Sequence, residues 1–326
     1  MGYQATGFKF YRRNLCSMNF RFTIALIACT LAAATQFAGF ESSSPLRAAE
    51  QKQKKKANSP KTGWKPLKDA EFKVYKKTDQ GDLHLNIFKP ADWKPSDSRP
   101  AVVFFFGGGW RSGNPSQFEP HCRYLASRGM VACAAEYRIK SKHDTTPFEC
   151  VADGKSAVRW IREHAAELGI DPNRIVAGGG SAGGHVAACT GTVTGFDEPN
   201  ENKKISSVPN AMALFNPVVD TTETGWKGGP QQLGERCKEI SPIHFVRKGT
   251  PPTIIFHGTG DTTVLFENVE RFTDQMKQKG NRCELIAYPD QPHGFFNLSR
   301  NKKNYEDTIV KLDAFLTSLG YLPPQK

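Results

Sequence analysis

Short apolar runs alternate with amphipathic stretches along most of the chain after residue 70. Several runs, such as AVVFFF at 101–106, MVACAA at 130–135 and PTIIFH at 252–257, are continuously apolar. Such runs are typical of strands that a parallel sheet buries on both faces. Strands are predicted at 72–77, 83–88, 101–106, 130–137, 174–177, 211–215, 253–257 and 283–288.

Helical periodicity separates these runs, and glycines that suit a helix C-terminus follow four of the five helical stretches. The predicted helices are 116–128, 147–168, 182–192, 267–279 and 305–319. Strands that alternate with helices predict an α/β fold with a mostly parallel sheet of about eight strands and helices on both faces. The stretches 195–210 and 218–249 show no clear periodicity, and loops of that length are often functional.

The amino-terminal residues have the pattern of a targeting segment. An uncharged apolar run at 22–37 follows Arg12, Arg13 and Arg21 and precedes small residues, as in a secretory signal, and it is short for a membrane span. We therefore interpret 1–49 as a signal peptide, with Met18 as an alternative start, and expect a periplasmic or extracellular protein. A lipobox with an acylated Cys29 is an alternative, although the apolar run continues past it. A twin-arginine signal at Arg12 and Arg13 is a weaker alternative.

The formal net charge of +12 lies mostly outside the predicted fold. Residues 50–68 contain seven lysines and one glutamate, whereas 69–326 contain 32 basic and 30 acidic residues. A basic tail on a nearly neutral body is more typical of a solvated linker than of a nucleic-acid-binding surface. We therefore predict a Lys-rich linker at 50–68, one catalytic domain at 69–326, no nucleic-acid partner and no membrane contact beyond the export signal.

Six cysteines follow the leader, which is too few for a disulfide scaffold, and their spacing fits no zinc pattern. We expect most of them to be buried apolar thiols. We predict no metal and no other cofactor. The six are Cys122, Cys133, Cys150, Cys189, Cys237 and Cys283.

The motif G-x-S-x-G at 179–183 stands between a predicted strand and a predicted helix. This context is that of a nucleophile elbow, in which a tight turn presents the hydroxyl of Ser181 at the end of the sheet. Gly178, Gly180 and Gly183 also satisfy the dinucleotide fingerprint G-x-G-x-x-G. That fingerprint belongs on the first strand of its unit, whereas about four predicted strands precede it here.

A serine nucleophile needs a base and a carboxylate that orients the base. Asp261 follows the predicted strand 253–257, and His293 follows the predicted strand 283–288. Both lie in loops at strand carboxyl ends, in the order Ser, Asp, His that α/β-hydrolases use. Three glycines at 107–109 also follow a strand, and backbone N–H groups of such a loop can stabilise an oxyanion.

These segments resemble the esterase and lipase superfamily of α/β-hydrolases, close to hormone-sensitive-lipase-like enzymes and to bacterial acetyl-xylan or feruloyl esterases. The resemblance covers about 70–320 and rests on FGGGWRSGNPSQF, AEYR, DGKSAVRWIREHAAELGIDPNRIVAGGGSAGGH, HGTGDTTV and PHGFF. It implies Ser181 as nucleophile, His293 as base and Asp261 as its orienting carboxylate. It also implies an oxyanion hole formed by the N–H groups of Gly108, Gly109 and Ala182.

Two features depart from that family. Phe106 occupies the position of the usual histidine before the glycines, so we expect the loss of a hydrogen bond that braces this loop. Residues 50–69 are too rich in lysine to form an apolar lid, which suggests an open site for a bulky polar substrate.

The expected function is hydrolysis of short acyl esters, of acetyl type, on a small molecule or a polysaccharide. Trp110 and Trp226 are candidate substrate contacts, although large aromatic residues are as often part of the core. The alternatives are a peptidase of the prolyl-oligopeptidase type and a non-enzymatic binding protein on the same fold. The sequence does not determine the oligomeric state.

Overall fold

The computed structural model describes residues 63–226 and 228–325. Eight strands form one sheet in the order β1-β2-β4-β3-β5-β6-β7-β8. The pairs β1–β2 and β2–β4 are antiparallel, and all the others are parallel. The strands are β1 Glu71–Thr78, β2 Gly81–Phe88, β3 Arg99–Phe105, β4 Val131–Ala135, β5 Ile170–Gly180, β6 Ala211–Phe215, β7 Thr253–Gly258 and β8 Cys283–Tyr288. The predicted fold class is therefore confirmed.

Helices of the described residues include counterparts of all five predicted ones and some that the pattern did not predict. The α-helices are α1 Glu119–Ser127, α2 Lys140–His143, α3 Pro147–Glu163, α4 Ala165–Leu168, α5 Ala182–Thr192, α6 Gly228–Leu233, α7 Phe266–Gln278 and α8 Lys302–Ser318. Three 3₁₀-helices lie at Pro115–Phe118, Gly234–Ile240 and Pro242–Phe245. The predicted helix 116–128 begins as a 3₁₀ turn because Pro120 has no N–H to donate to the carbonyl of residue 116.

The stretch 218–249, which shows no periodicity, holds one α-helix and two of the 3₁₀-helices. Tertiary hydrogen bonds tie it down: the hydroxyl of Thr221 donates to the carbonyl of Cys237, and the hydroxyl of Ser241 donates to the carboxylate of Asp220. The stretch 195–210 has no helix or strand. Arg159 on α3 pairs with Asp197 and Glu201, and these ion pairs hold the loop against α3.

The predicted signal peptide 1–49 lies outside the described residues, as does most of the predicted linker. The end of that linker packs on the body: the Trp64 ring lies 5.5 Å from that of Phe106, and the Trp64 indole donates to the carbonyl of Gly113. Five of the six cysteines are buried, as predicted, while Cys237 is partly exposed, and all six are free. Within the described ranges, no helix is long and apolar enough to cross a membrane.

His121 on α1 is fully buried among aromatic rings, including those of Phe118, Phe215 and Tyr305. Neither ring nitrogen has a hydrogen-bond partner among the described residues. Burial lowers the pKa of this imidazole to about 3, from an ordinary 6.5. The folded protein therefore holds His121 neutral at a pH where the unfolded chain binds a proton there.

Replacing His121 with leucine is expected to make the protein less sensitive to acid. Between pH 6.5 and about 3 the wild type loses about 1.4 kcal/mol of unfolding free energy per pH unit at this residue, because only the unfolded state is protonated. The variant should gain about 2 kcal/mol over the wild type when the pH falls from 7 to 5. Urea denaturation at both pH values measures this difference, and equal pH dependence of the two proteins would contradict it.

Candidate active site

Ser181 lies in the sharp turn between β5 and α5. Its backbone has φ 54° and ψ −120°, and its N–H donates to the carbonyl of Phe215 on the neighbouring strand. The flanking glycines are required by packing: a Cβ on Gly179 would lie 2.4 Å from the carbonyl oxygen of Gly183, and one on Gly183 would lie 2.0 Å from that of Phe105. The predicted elbow is therefore the local structure of G-x-S-x-G here.

The structure brings Ser181, His293 and Asp261 together from three loops at the carboxyl ends of β5, β8 and β7. The Nε2 of His293 lies 2.9 Å from the Oγ of Ser181, and its Nδ1 lies 2.6 Å from Oδ2 of Asp261. With Nδ1 protonated towards the carboxylate, Nε2 is free to accept the hydroxyl proton of the serine. This arrangement can generate a serine nucleophile and stabilise the imidazolium that forms.

Asp261 is held as a carboxylate by several donors. Its Oδ1 accepts the backbone N–H groups of Thr263 (2.8 Å) and Val264 (2.9 Å), while Oδ2 faces both His293 and His257. Burial by itself raises the pKa of Asp261, but the hydrogen bonds from the two histidines and from Val264 outweigh it. The pKa is therefore well below its usual value, and the carboxylate stays ionised beside His293.

His257, at the end of β7, is a second histidine on this carboxylate that sequence reasoning missed. It is fully buried, its Nε2 lies 2.8 Å from the carbonyl oxygen of Val264, and the same nitrogen lies 3.3 Å from Oδ2 of Asp261. An Nε2–H that donates to both oxygens fixes the loop 261–264. His257 thus contacts Oδ2 of Asp261, the oxygen that also faces His293, and is a positioning residue.

The variant His257→Leu is expected to lower kcat about tenfold, because a donor to a charged group contributes about 1.5 kcal/mol or more. His257→Gln can place an amide N–H near the position of Nε2 and should retain activity within about threefold. In both variants KM should change less than kcat, since His257 is fully buried and does not line the cavity of Ser181. Steady-state kinetics on a soluble ester measures both constants. Equal losses in the two variants would rule out a donor role.

The glycine loop after β3 faces Ser181. Gly108 and Gly109 have φ of 124° and 63°, and a Cβ on Gly108 would lie 2.2 Å from the carbonyl oxygen of Ser112, so this tight turn requires glycine there. The two glycines, together with Ala182, line a cavity of about 320 Å³ that also contains Ser181 and His293. All the residues predicted for an oxyanion hole therefore border one cavity with the serine.

The glycine loop is held by other contacts although Phe106 stands at the position of the family's histidine. Its ring stacks on Tyr137 with centroids 4.3 Å apart, and the hydroxyl of Tyr137 donates to the carbonyl of Phe106 at 2.6 Å. The next N–H, that of Gly107, donates to Oε1 of Gln117 at 2.6 Å. Two hydrogen bonds with Tyr137 and Gln117 therefore brace this loop at the position where Phe106 stands.

Trp110 and Trp226 line the same cavity, with ring centroids 5.2 Å apart. Trp110 is only 2% exposed, and its indole donates to Nδ1 of His185, whose Nε2–H donates to the carbonyl of Ile240. Burial lowers the pKa of His185 to about 4, although the bond to Ile240 raises it, so the ring is neutral and can accept from Trp110. Trp110 is thus a wall of the cavity as well as a core residue.

Two further residues connect the parts of the site. Asn216, fully buried after β6 with φ 35°, accepts the N–H of Gly294 at 2.9 Å and so fixes the residue after His293. Gln117 donates from Nε2 to Oδ1 of Asn297 at 2.9 Å, which joins the glycine loop to the histidine loop. The position of Asn216 after an apolar strand could have indicated it, whereas no sequence pattern indicates Gln117.

The known proteins to which this chain is similar are described as esterases. Thermogutta terrifontis esterase 2, in its apo form, is 53% identical, with a TM-score of 0.78 over 80% of this chain and 98% of that one. The same esterase with propionate bound gives a TM-score of 0.76. Carboxylesterase NlhH of Mycobacterium tuberculosis is 37% identical over 67% of this chain and 72% of its own length.

The probable carboxylic ester hydrolase LipM of Mycobacterium tuberculosis is 27% identical over 72% of this chain. The matches span 49% to 60% of the length of LipM and of two plant relatives described as probable isoprenylcysteine alpha-carbonyl methylesterases. The family model BD-FAE matches residues 85–276. The chain therefore belongs to the BD-FAE family, within the hormone-sensitive-lipase-like esterases of the α/β-hydrolase fold.

Proposed function

We propose that this protein is a serine carboxylesterase that hydrolyses short-chain acyl esters, of acetyl type, on hydroxylated substrates such as carbohydrates. The observation that carries the proposal is the line of contacts from Ser181 Oγ through His293 to Asp261 beside a cavity of about 320 Å³. In the proposed reaction, Oγ of Ser181 attacks the ester carbonyl while His293 takes the hydroxyl proton. The N–H groups of the glycine loop and of Ala182 stabilise the oxyanion.

The reaction then proceeds in two steps, acylation of Ser181 and hydrolysis of the acyl-enzyme. Collapse of the tetrahedral intermediate breaks the bond to the alcohol oxygen, which takes its proton from His293, and leaves an acyl ester on Ser181. A water molecule gives a proton to His293 and attacks the acyl carbonyl, and the released Oγ regains that proton. The products are the carboxylic acid and the alcohol. This sequence uses only groups that the described site contains, together with water.

A short acyl group is supported by the size of the cavity and by a relative. Trp110, Trp226, Val218 and Val264 border it with apolar surface, which suits a small alkyl chain. Structures of Thermogutta terrifontis esterase 2 exist with propionate and with butyrate bound. We therefore expect the highest kcat/KM for acetyl to butyryl esters, and a decline at octanoyl.

The proposal is tested with p-nitrophenyl acetate, butyrate and octanoate. Activity on the short esters would support it, with acetylated xylan and feruloyl esters as the next substrates. Reaction with paraoxon gives a second readout: Oγ displaces p-nitrophenolate and keeps a diethylphosphoryl group, which adds a fixed mass to the peptide that contains Ser181. No ester hydrolysis and no adduct would overturn the proposal and favour the binding alternative, whereas an adduct without ester hydrolysis would favour the peptidase alternative.

Export belongs to the same proposal and rests on the pattern at 1–49. We propose that the leader directs the protein to the periplasm or the outside of the cell. Cell fractionation with amino-terminal sequencing of the mature protein tests this. A mature chain that begins after the apolar run would support the proposal, one that begins at an acylated Cys29 would indicate a lipoprotein, and an uncleaved cytoplasmic chain would contradict both.

A further inference from the structure

Trp64 is a half-buried residue in the segment that precedes β1. Gly63, Lys65 and Pro66 around it are exposed, and the segment lies outside the range 85–276 that the family model matches. Its large side chain is nevertheless packed on the fold, close to the glycine loop at 107–109. A residue ahead of the family domain is therefore in contact with a part of the active site.

Three contacts fix the Trp64 side chain. Its ring packs edge-on against that of Phe106, with centroids 5.5 Å apart and planes at 63°. Its indole N–H donates to the carbonyl of Gly113 at 3.2 Å. The Nζ of Lys142 on α2 lies 3.8 Å from the ring centroid, which is a cation–π contact. Trp64 thus joins α2 to both ends of the turn 106–113.

Close packing connects Gly113 with the nucleophile elbow through Gly107. A Cβ on Gly113 would lie 2.3 Å from the carbonyl oxygen of Gly107 and 2.7 Å from the ring of Phe106. A Cβ on Gly107 would lie 3.0 Å from the carbonyl oxygen of Gly180 and 3.3 Å from Cβ of Ser181. Gly107 is therefore in tight contact on both sides, and the position of Gly113 limits where the glycine loop can lie.

The helix α2 holds the same turn through its backbone. The N–H groups of Lys140 and Ser141 donate to the carbonyls of Trp110 and Arg111, each at 3.0 Å. Among the described residues, Trp64 is not one of those that border the cavity of Ser181. Any effect of Trp64 on the reaction must therefore act through the turn.

We propose that Trp64 is a positioning residue for the oxyanion hole: it holds the turn 106–113 in the conformation that presents the N–H groups of Gly108 and Gly109 to the oxyanion. This inference rests on the proposed esterase activity. An oxyanion hole stabilises charge best when its donors are fixed before the reaction begins. The segment before β1 is then part of the catalytic unit, although it lies ahead of the range that the family model matches.

Trp64→Ala removes the contacts of the indole, and Trp93→Ala is a matched control. Trp93 is also half-buried, its indole N–H donates to the carbonyl of Leu168 at 2.8 Å, and Nζ of Lys89 lies 3.6 Å from its ring centroid. Trp93 precedes the amino end of β3, whereas the site lies at the carboxyl ends of the strands. The two variants therefore lose the same kinds of contact at opposite ends of the sheet.

Trp64→Ala is expected to lower kcat on p-nitrophenyl acetate about tenfold, with KM changed by less than about threefold. Removing one oxyanion donor costs about 10²- to 10³-fold, and this variant displaces donors without removing them. Trp64→Phe keeps a ring against Phe106 but loses the N–H that Gly113 accepts, so its kcat should fall about threefold. Trp93→Ala should keep the wild-type kcat. An unchanged kcat in either folded Trp64 variant, or equal losses in Trp64→Ala and Trp93→Ala, would overturn the proposal.

Inhibition by a trifluoromethyl ketone distinguishes a displaced oxyanion hole from a general loss of activity. Oγ of Ser181 adds to the ketone carbon while His293 takes the hydroxyl proton, and the oxyanion that forms faces the same N–H groups. The inhibition constant should rise about tenfold in Trp64→Ala and stay unchanged in Trp93→Ala, with thermal unfolding showing that each variant is folded. An unchanged constant in Trp64→Ala would contradict a role at the oxyanion hole. Absence of both ester hydrolysis and ketone inhibition in the wild type would instead overturn the proposed function.

Discussion

Replacing Ser181 with alanine is expected to reduce kcat on p-nitrophenyl acetate by about 10⁴-fold or more. The reason is geometric: Oγ lies 2.9 Å from His293 Nε2, and Ser181 borders the same cavity as the glycine loop. Without it, no acyl-enzyme can form, and only the oxyanion donors and substrate binding remain. Initial rates of p-nitrophenol release, measured at equal concentrations of folded protein, give the ratio.

The same variant should remain as stable as the wild type within about 1 kcal/mol. Alanine keeps the Cβ at φ 54°, and the hydroxyl's hydrogen-bond partner in the described structure is His293. Ser156→Ala is a matched control, because Ser156 is a buried serine on α3 whose hydroxyl donates to the carbonyl of Ala152. This control should keep full activity. More than about one hundredth of wild-type kcat in Ser181→Ala would overturn the assignment of the nucleophile.

Replacing Asp261 with asparagine is expected to lower kcat by about 10⁴-fold. The asparagine oxygen can still accept the N–H groups of Thr263 and Val264, so the loop keeps its shape. Its amide N–H, however, would face Nδ1 of His293 and hold the tautomer that carries its proton on Nε2. That tautomer cannot take the proton of Ser181. The measurement is kcat on the same ester, with KM expected to change much less.

Asp261 also has a predictable effect on acid stability. Its folded-state pKa lies below the ordinary 3.8, so its contribution to the unfolding free energy is present above pH 3.8 and is lost as the pH falls through the lower folded value. An asparagine side chain does not titrate, so the Asp261→Asn variant should lose less stability than the wild type on acidification below pH 3.8. Denaturant unfolding at pH 5 and pH 3 measures the two losses.

Asp313→Asn separates these effects from a general loss of stability. Asp313 is buried on α8 and pairs with Arg128 at 2.6 Å. Its replacement should lower stability, while the kcat of the folded enzyme should stay within about threefold, because this pair lies outside the cavity of Ser181. A loss of kcat in Asp313→Asn as large as in Asp261→Asn would show that instability, rather than the tautomer of His293, explains the result.

Sequence patterns predict the fold class, which the structure confirms, and they predict candidates for the site residues together with their order along the chain. Apolar runs such as 101–106 predict buried strands because only burial on both faces tolerates six consecutive apolar side chains. The elbow motif could be recognised from its position between a strand and a helix, although part of the crowding that requires glycine at 183 comes from the carbonyl of Phe105 on β3. Asp261 and His293 could be chosen because each follows a strand, and the carboxyl ends of parallel strands meet at one edge.

The surroundings of these residues depend on contacts between distant parts of the folded chain. Gln117 and Asn297 are 180 positions apart, and Asn216 and Gly294 are 78 apart, so no periodicity or spacing encodes their contacts. The helices of 218–249 were missed for the same reason, because tertiary hydrogen bonds hold them and they have no apolar period of their own. His257 looked like the end of a buried strand, and its place beside Asp261 depends on how the loop 258–264 turns back over β7.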